Sequence, residues 1–199
     1  MTVPGTFDTS ARELIHAGLQ NLDEARSLFR QLAASGFDAA RCGLLLDALQ
    51  HVCDPDVALR NLVDIVNAQV SQGRALDDIM PDDTAFRQLV AVLGVSDAMG
   101  KLMRFRPDLV QAAATDHCNS HLYNHDQRRA HVLESVGADP NDRMSPTATM
   151  DLADAATALR RTYRNQLAAI IAQDTMSDDP IALQPRISSE LSDLADAAL

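Results

Sequence analysis

Residues 54–66, Asp54-Pro55-Asp56-Val57-Ala58-Leu59-Arg60-Asn61-Leu62-Val63-Asp64-Ile65-Val66, decide the fold class. Asp54 is a residue of the N-cap type, and Pro55 follows at the first helical position, where its missing N–H costs nothing. Behind this start, Leu59, Leu62, Val63 and Val66 recur at spacings of three and four, the stripe of an amphipathic helix.

The same grammar extends in both directions. Upstream, Leu45, Ala48, Leu49 and Val52 mark a third helix. Asn21 with Glu24 opens a second over Leu22, Ala25, Leu28, Phe29 and Leu32, closed by Gly36. Ser10 and Glu13 have capping-box spacing for a short first helix ending near Gly18. Downstream, Asp83 or Thr84 caps a fifth helix with Phe86, Leu89, Val90 and Leu93 inward, and Gly94 ends it. Ser96 and Pro107 restart the chain twice more, as far as Ala114.

Residues 115–135 are polar and His-rich, helical without a firm stripe, and 137–142 form a loop. Ser145-Pro146 opens the longest helix, running to about Met176, with Leu152, Ala156, Leu159, Tyr163, Leu167, Ile170 and Ile171 buried. Ser188 or Ser189 opens a last helix with Leu191, Leu194, Ala195 and Ala198 on one face. It stops at Leu199 with no Gly, Asn, Pro or basic last turn, as if cut in mid-helix.

Composition points the same way. Of 199 residues, 25 are Leu and 31 Ala, strong helix formers, whereas 5 Phe, 2 Tyr and no Trp give little bulk for an aromatic-rich sheet. The expectation is an all-α, irregular multi-helix bundle with a long helix at about 146–176. It divides into a helical region 1–114, a His-rich helix and loop 115–145, and the long helix with the start of another over 146–199.

With 17 Lys and Arg against 28 Asp and Glu, the net charge is −11, which excludes nucleic acid or an anionic membrane as the main partner. Three cysteines without C-x-x-C spacing fit reduced thiols. No signal peptide and no apolar run of about 20 residues is visible, so a soluble cytoplasmic protein is expected.

The sharpest candidate for chemistry is Asp116-His117-Cys118-x-x-His121-x-x-x-His125. On one helix His117, His121 and His125 would share a face, the geometry of a zinc-binding pair extended by a turn. The plainer reading is a polar helix rich in His, since no second cluster closes the site and no H-E-x-x-H glutamate is present. Cys42 and Cys53 read as core or helix-end thiols. Asp139 and Asp142 follow a glycine, as in a metal-carboxylate site, but without a preceding apolar strand a turn is the better reading. Arg160, Arg161 and Arg164 are a possible phosphate grip and, more simply, a solvated helix face. With no Walker loop, dinucleotide turn or G-x-S-x-G, no catalytic, cofactor-binding or metal residue is assigned.

Three ordered stretches carry a resemblance. They are Asp54 to Leu62; Phe86 to Leu109, with Leu93-Gly94-Val95-Ser96 and Arg106-Pro107-Asp108-Leu109; and Ala158 to Asp174, followed by Glu190-Leu191-Ser192-Asp193-Leu194-Ala195-Asp196. Together they resemble the N-terminal region of bacterial glutamine synthetase adenylyltransferases, the bifunctional adenylyl-transferring and adenylyl-removing enzymes. The resemblance covers roughly 55–199 and is weakest over 115–145. It implies a helical module that supports an adenylyl-removing core or docks glutamine synthetase or a PII-type regulator. The parent enzyme would use ATP and Mg²⁺. In that family a G-S-x-x-D-x-D signature, whose carboxylates hold Mg²⁺ for phosphoryl transfer, follows the stretch matched by 190–196. These 199 residues do not contain it, so no cofactor is assigned to the segment and it is expected to be inactive alone. The alternatives are a stand-alone acidic helical interaction protein and, more weakly, a metal-binding helical protein using His117, His121 and His125.

Overall fold

The computed structural model describes residues 9–114, 124–177 and 179–198. Among them every regular element is an α-helix. The chain separates into two compact units, Met1–Thr115 and Asp116–Leu199.

The first unit contains α1 (Ala11–His16), α2 (Leu22–Ala34), α3 (Ala39–Leu49), α4 (Pro55–Ser71), α5 (Leu76–Ile79), α6 (Asp83–Val95), α7 (Asp97–Met103) and α8 (Pro107–Ala114). Local chemistry sets most of the starts. Ser10 and Glu13 form the reciprocal capping box, Asn21 accepts from Glu24 N, and Asp54 Oδ1 accepts from Val57 N at 2.9 Å with Pro55 next in line. A tertiary cap adds to these: Asp56 on α4 accepts from the backbone N–H groups of Gln20 and Asn21, tying the α1–α2 turn to the central helix.

Helices α4 and α6 form the centre of this unit. They pack on each other, with α2 and α7 against α4 and α3 and α8 against α6. Leu59, Leu62, Ile65 and Val66 of α4 and Phe86, Leu89, Val90 and Leu93 of α6 are buried in the core, as are Phe29, Leu32, Leu45, Leu49 and Leu109 from the surrounding helices. The rings of Phe37 and Phe86 lie 6.2 Å apart, tilted by 59°, a favourable aromatic arrangement.

Two expectations are corrected here. The cap of α6 is Asp82, not Asp83 or Thr84: its backbone is extended, and Oδ1 accepts from Ala85 N at 2.8 Å. Gly94 does not end α6. It lies inside the helix at a close approach, where a Cβ would stand 2.8 Å from Val52 Cβ and 3.4 Å from the Asp54 carbonyl oxygen. The helix runs to Val95, and Ser96, with extended backbone, is both its end and the cap of α7.

The second unit contains α9 (His125–Ser135), α10 (Leu152–Thr175) and α11 (Pro180–Ala198), with α11 packed on both others and α9 on α10. Ile170, Ile187 and Leu194 form its apolar centre, flanked by Tyr163, Leu167 and Leu183. The expected long helix is present, but it begins at Leu152. Asp151 is the cap, accepting from Ala153 N and Asp154 N, while 139–145 is held as a turn. Its apolar stripe is buried only towards the C-terminal end; Leu152 is 88% exposed.

The last helix starts at Pro180, not at Ser188 or Ser189. Asp179 accepts from Ala182 N at the start, and Pro185 sits within the helix. Proline there deprives the Ile181 carbonyl of its partner, and because Ile181 is exposed, water can replace that bond. The buried face of α11 is Ile187, Glu190 and Leu194, and Leu191 is 41% exposed. No helix among the described residues is long and apolar enough to cross a membrane.

Candidate functional site

Two features of the second unit concentrate its polar chemistry. The first is a buried node to which each of the three helices contributes one side chain. Arg128 of α9 donates from Nη1 to Gln166 Oε1 of α10 at 2.8 Å and from Nη2 to Glu190 Oε2 of α11. All three residues are buried. Arg186, one turn before Glu190, places Nε 3.8 Å from Glu190 Oε1. Burial pushes the Glu190 carboxyl above its ordinary value, opposed by the positive charges of Arg128 and Arg186.

Sequence reading passed over this node, although a signal existed. Glu190 falls in register with Ile187 and Leu194, and Arg128 stands one turn before the buried Val132; a charge in an apolar stripe points to a buried partner.

The second feature is a cleft of about 570 Å³ between α9 and the turn after it. His125, Asp126, Gln127, Arg129 and Ala130 line one side, and Pro140, Asn141 and Arg143 the other. Arg129 fastens the two walls, donating from Nη1 to the Pro140 carbonyl and from Nη2 to the Asp142 carbonyl, each at 3.1 Å. Gly137 provides the turn out of α9 with φ +74°, a region that glycine enters without steric cost.

The sequence candidates distribute as follows. His117, Cys118 and His121 lie outside the described residues. His125 is the first residue of α9, after the extended cap Asn124, and its Nδ1 lies 3.0 Å from Asp193 Oδ1. Among the described residues no group of three or more His, Cys, Asp or Glu side chains is arranged to hold a metal ion. Asp139 and Asp142 are turn formers: Asp139 Oδ1 accepts from Asn141 N, and Asp142 Oδ1 from Met144 N and Ser145 N. Those backbone donors hold the Asp142 carboxyl below its ordinary range. Arg160 and Arg161 are exposed on α10, and Arg164 is half-buried.

Cys42 is a core thiol, and Cys53 is exposed in the segment before α4. Burial, with the Asp38 charge, pushes Cys42 up to about 11. At about pH 8 only some one in a thousand such thiols is ionised. In a Cys53→Ser/Cys118→Ser variant, Cys42 is therefore expected to resist a disulfide reagent in the native chain and to react once denaturant opens α3. Prompt native labelling would contradict this placement.

No family model matches the chain, and no solved structure matches it. Curated proteins do. The chain is 63% identical over 193 residues, 97% of its length, to the bifunctional glutamine synthetase adenylyltransferase/adenylyl-removing enzyme of Bifidobacterium longum (strain DJO10A). It is 30% identical over 94% of its length to the enzyme of that name in Leifsonia xyli subsp. xyli, and 29% identical over all of its length to that of Streptomyces avermitilis. The chain spans only 17% to 18% of the length of these relatives. Over nearly all of its own length, then, the chain is similar to one segment of bifunctional glutamine synthetase adenylyltransferase/adenylyl-removing enzymes.

Proposed function

We propose that the chain is the N-terminal helical module of a bifunctional enzyme that adenylylates and deadenylylates glutamine synthetase in nitrogen regulation, with a supporting or docking role beside a nucleotidyltransferase core. The observation that carries this reading is the 63% identity over 97% of the chain to proteins of that name. In this reading ATP and Mg²⁺ serve the parent enzyme in the cytoplasm, at paired carboxylates that hold the metal for phosphoryl transfer. The two acidic helical units offer surface for glutamine synthetase, for the core, or for a PII-type regulator.

The test has two arms. The 199-residue chain, incubated with glutamine synthetase and labelled ATP, or with adenylylated glutamine synthetase, is expected neither to transfer nor to remove AMP; turnover by the chain alone would place the chemistry inside it and overturn the supporting role. Reading the coding sequence beyond codon 199 is expected to reveal an in-frame G-S-x-x-D-x-D-type signature. Its absence would leave a free-standing helical interaction protein as the better account.

A further inference from the structure

The geometry points to the cleft between α9 and residues 140–143 as a binding site for a small organic oxyanion, a phosphate or carboxylate headgroup on a polar body. This goes beyond the proposed function and does not depend on it.

Four observations carry it. The chain is strongly acidic overall, yet two guanidinium groups, Arg129 and Arg143, line this one cleft against a single carboxylate, Asp126. The carboxylates of the neighbouring turn, Asp139 and Asp142, accept from backbone N–H groups of that turn, and Arg129 offsets part of the Asp142 charge, which leaves Arg143 as the guanidinium free to meet a ligand. The cleft also lies at the first turn of the 11-residue helix α9, whose N-terminal end carries partial positive charge. Its volume of about 570 Å³ falls within the range of small-molecule sites and well above what one inorganic phosphate fills.

The walls are preorganised. Arg129 ties the carbonyls of Pro140 and Asp142 to α9, so the cleft keeps its shape without a ligand and binding need not order a loop. Arg143 is the adjustable element. It stands 4.0 Å from Asp126, both side chains about four-fifths exposed, and a pair so placed is worth little. An incoming oxyanion offers Arg143 a bidentate partner in a more enclosed setting. Asp126 is then a competitor for Arg143 and a like charge to the ligand.

The test is a ¹H–¹⁵N NMR titration of the 199-residue chain with inorganic pyrophosphate and, separately, with citrate, each against sodium chloride of matched ionic strength. Saturable shifts confined to residues 125–130 and 140–143 are expected with at least one anion. The stronger of the two identifies the headgroup as phosphate or carboxylate. Arg143→Gln is expected to weaken binding about tenfold or more, from the loss of a charge-assisted hydrogen bond. Asp126→Asn is expected to tighten it several-fold. Both positions are exposed, so far-UV circular dichroism should match the parent. Weakening by the first variant together with tightening by the second supports the site. Any other pattern, including no saturable shift with either anion, overturns it.

Discussion

Glu190→Ala is expected to destabilise the second unit by about 3–5 kcal/mol, because it leaves the buried Arg128 guanidinium without the Glu190 carboxylate. A unit of this size holds on the order of 4–12 kcal/mol in total, so the variant would lose much of its cooperative transition. Both tyrosines, Tyr123 and Tyr163, lie beyond residue 115 and there is no tryptophan, so tyrosine emission during urea unfolding reports this unit selectively.

The reciprocal variant separates the two charges. Arg128→Leu leaves a carboxyl that can escape its penalty by taking up a proton, whereas arginine cannot shed one. Burial already raises Glu190, and losing the Arg128 charge raises it further. A carboxyl raised in the folded state gives its stability in full below the unfolded value near 4.5 and loses it as pH rises through the folded value. Arg128→Leu should therefore cost more at neutral pH than near pH 4.5. The double variant Arg128→Leu/Glu190→Leu should cost less than either single change at neutral pH, since two apolar side chains leave no buried charge. A cost for Arg128→Leu that is flat with pH would remove Glu190 from its place at the centre of this unit.

Gly100→Ala is expected to cost the first unit on the order of 3 kcal/mol, although it adds a single methyl group to a helix and alanine is the better helix former. A Cβ at Gly100 would overlap the carboxamide of Asn61, which is buried between α4 and α7 and donates from Nδ2 to the Leu93 carbonyl at 3.3 Å. Displacing that side chain adds the cost of overpacking, about 1–3 kcal/mol, to that of breaking a buried hydrogen bond, about 1–3 kcal/mol. Amide hydrogen exchange in α4, α6 and α7 measures the loss directly. Asn61→Ala/Gly100→Ala should recover part of it, because removing the carboxamide makes room for the methyl. If the double variant were simply additive, the two positions would not be in contact.

What was legible in the sequence follows from how far each determinant reaches along the chain. Caps are local: Ser10 with Glu13, Asn21, and Asp54 with Pro55 act within one turn, and each sets a helix start where the spacing predicts it. The core stripes of α4 and α6 were readable for the same reason. Gly94 misled because glycine stops helices and also admits close neighbours, and only the position of Val52 tells which role it has. The start of α11 was hidden by Pro185, a residue that breaks helices unless the stranded carbonyl can find another partner; Ile181, whose carbonyl loses its bond here, is exposed.

The candidate site was less legible than the fold. Its histidine motif falls mostly outside the described residues, and the one described member, His125, faces Asp193 from 68 positions away along the chain. The Arg128–Gln166–Glu190 node joins side chains separated by 38 and 62 residues, and one wall of the cleft is a turn 11 to 13 residues beyond Arg129, which bonds to it.

Alone, the sequence determined the all-helical class found among the described residues, the starts of α1, α2, α4, α7 and α8, and which proteins the chain is related to. Each of these rests on capping, periodicity or residue identity read within a few positions, or on identity summed over the whole chain. The tertiary structure decided which face of α10 and α11 is buried, what Gly94 and Gly100 do, and where the buried charges and the cleft lie. Those outcomes depend on which distant side chain occupies the neighbouring space, and spacing along one helix carries no information about that.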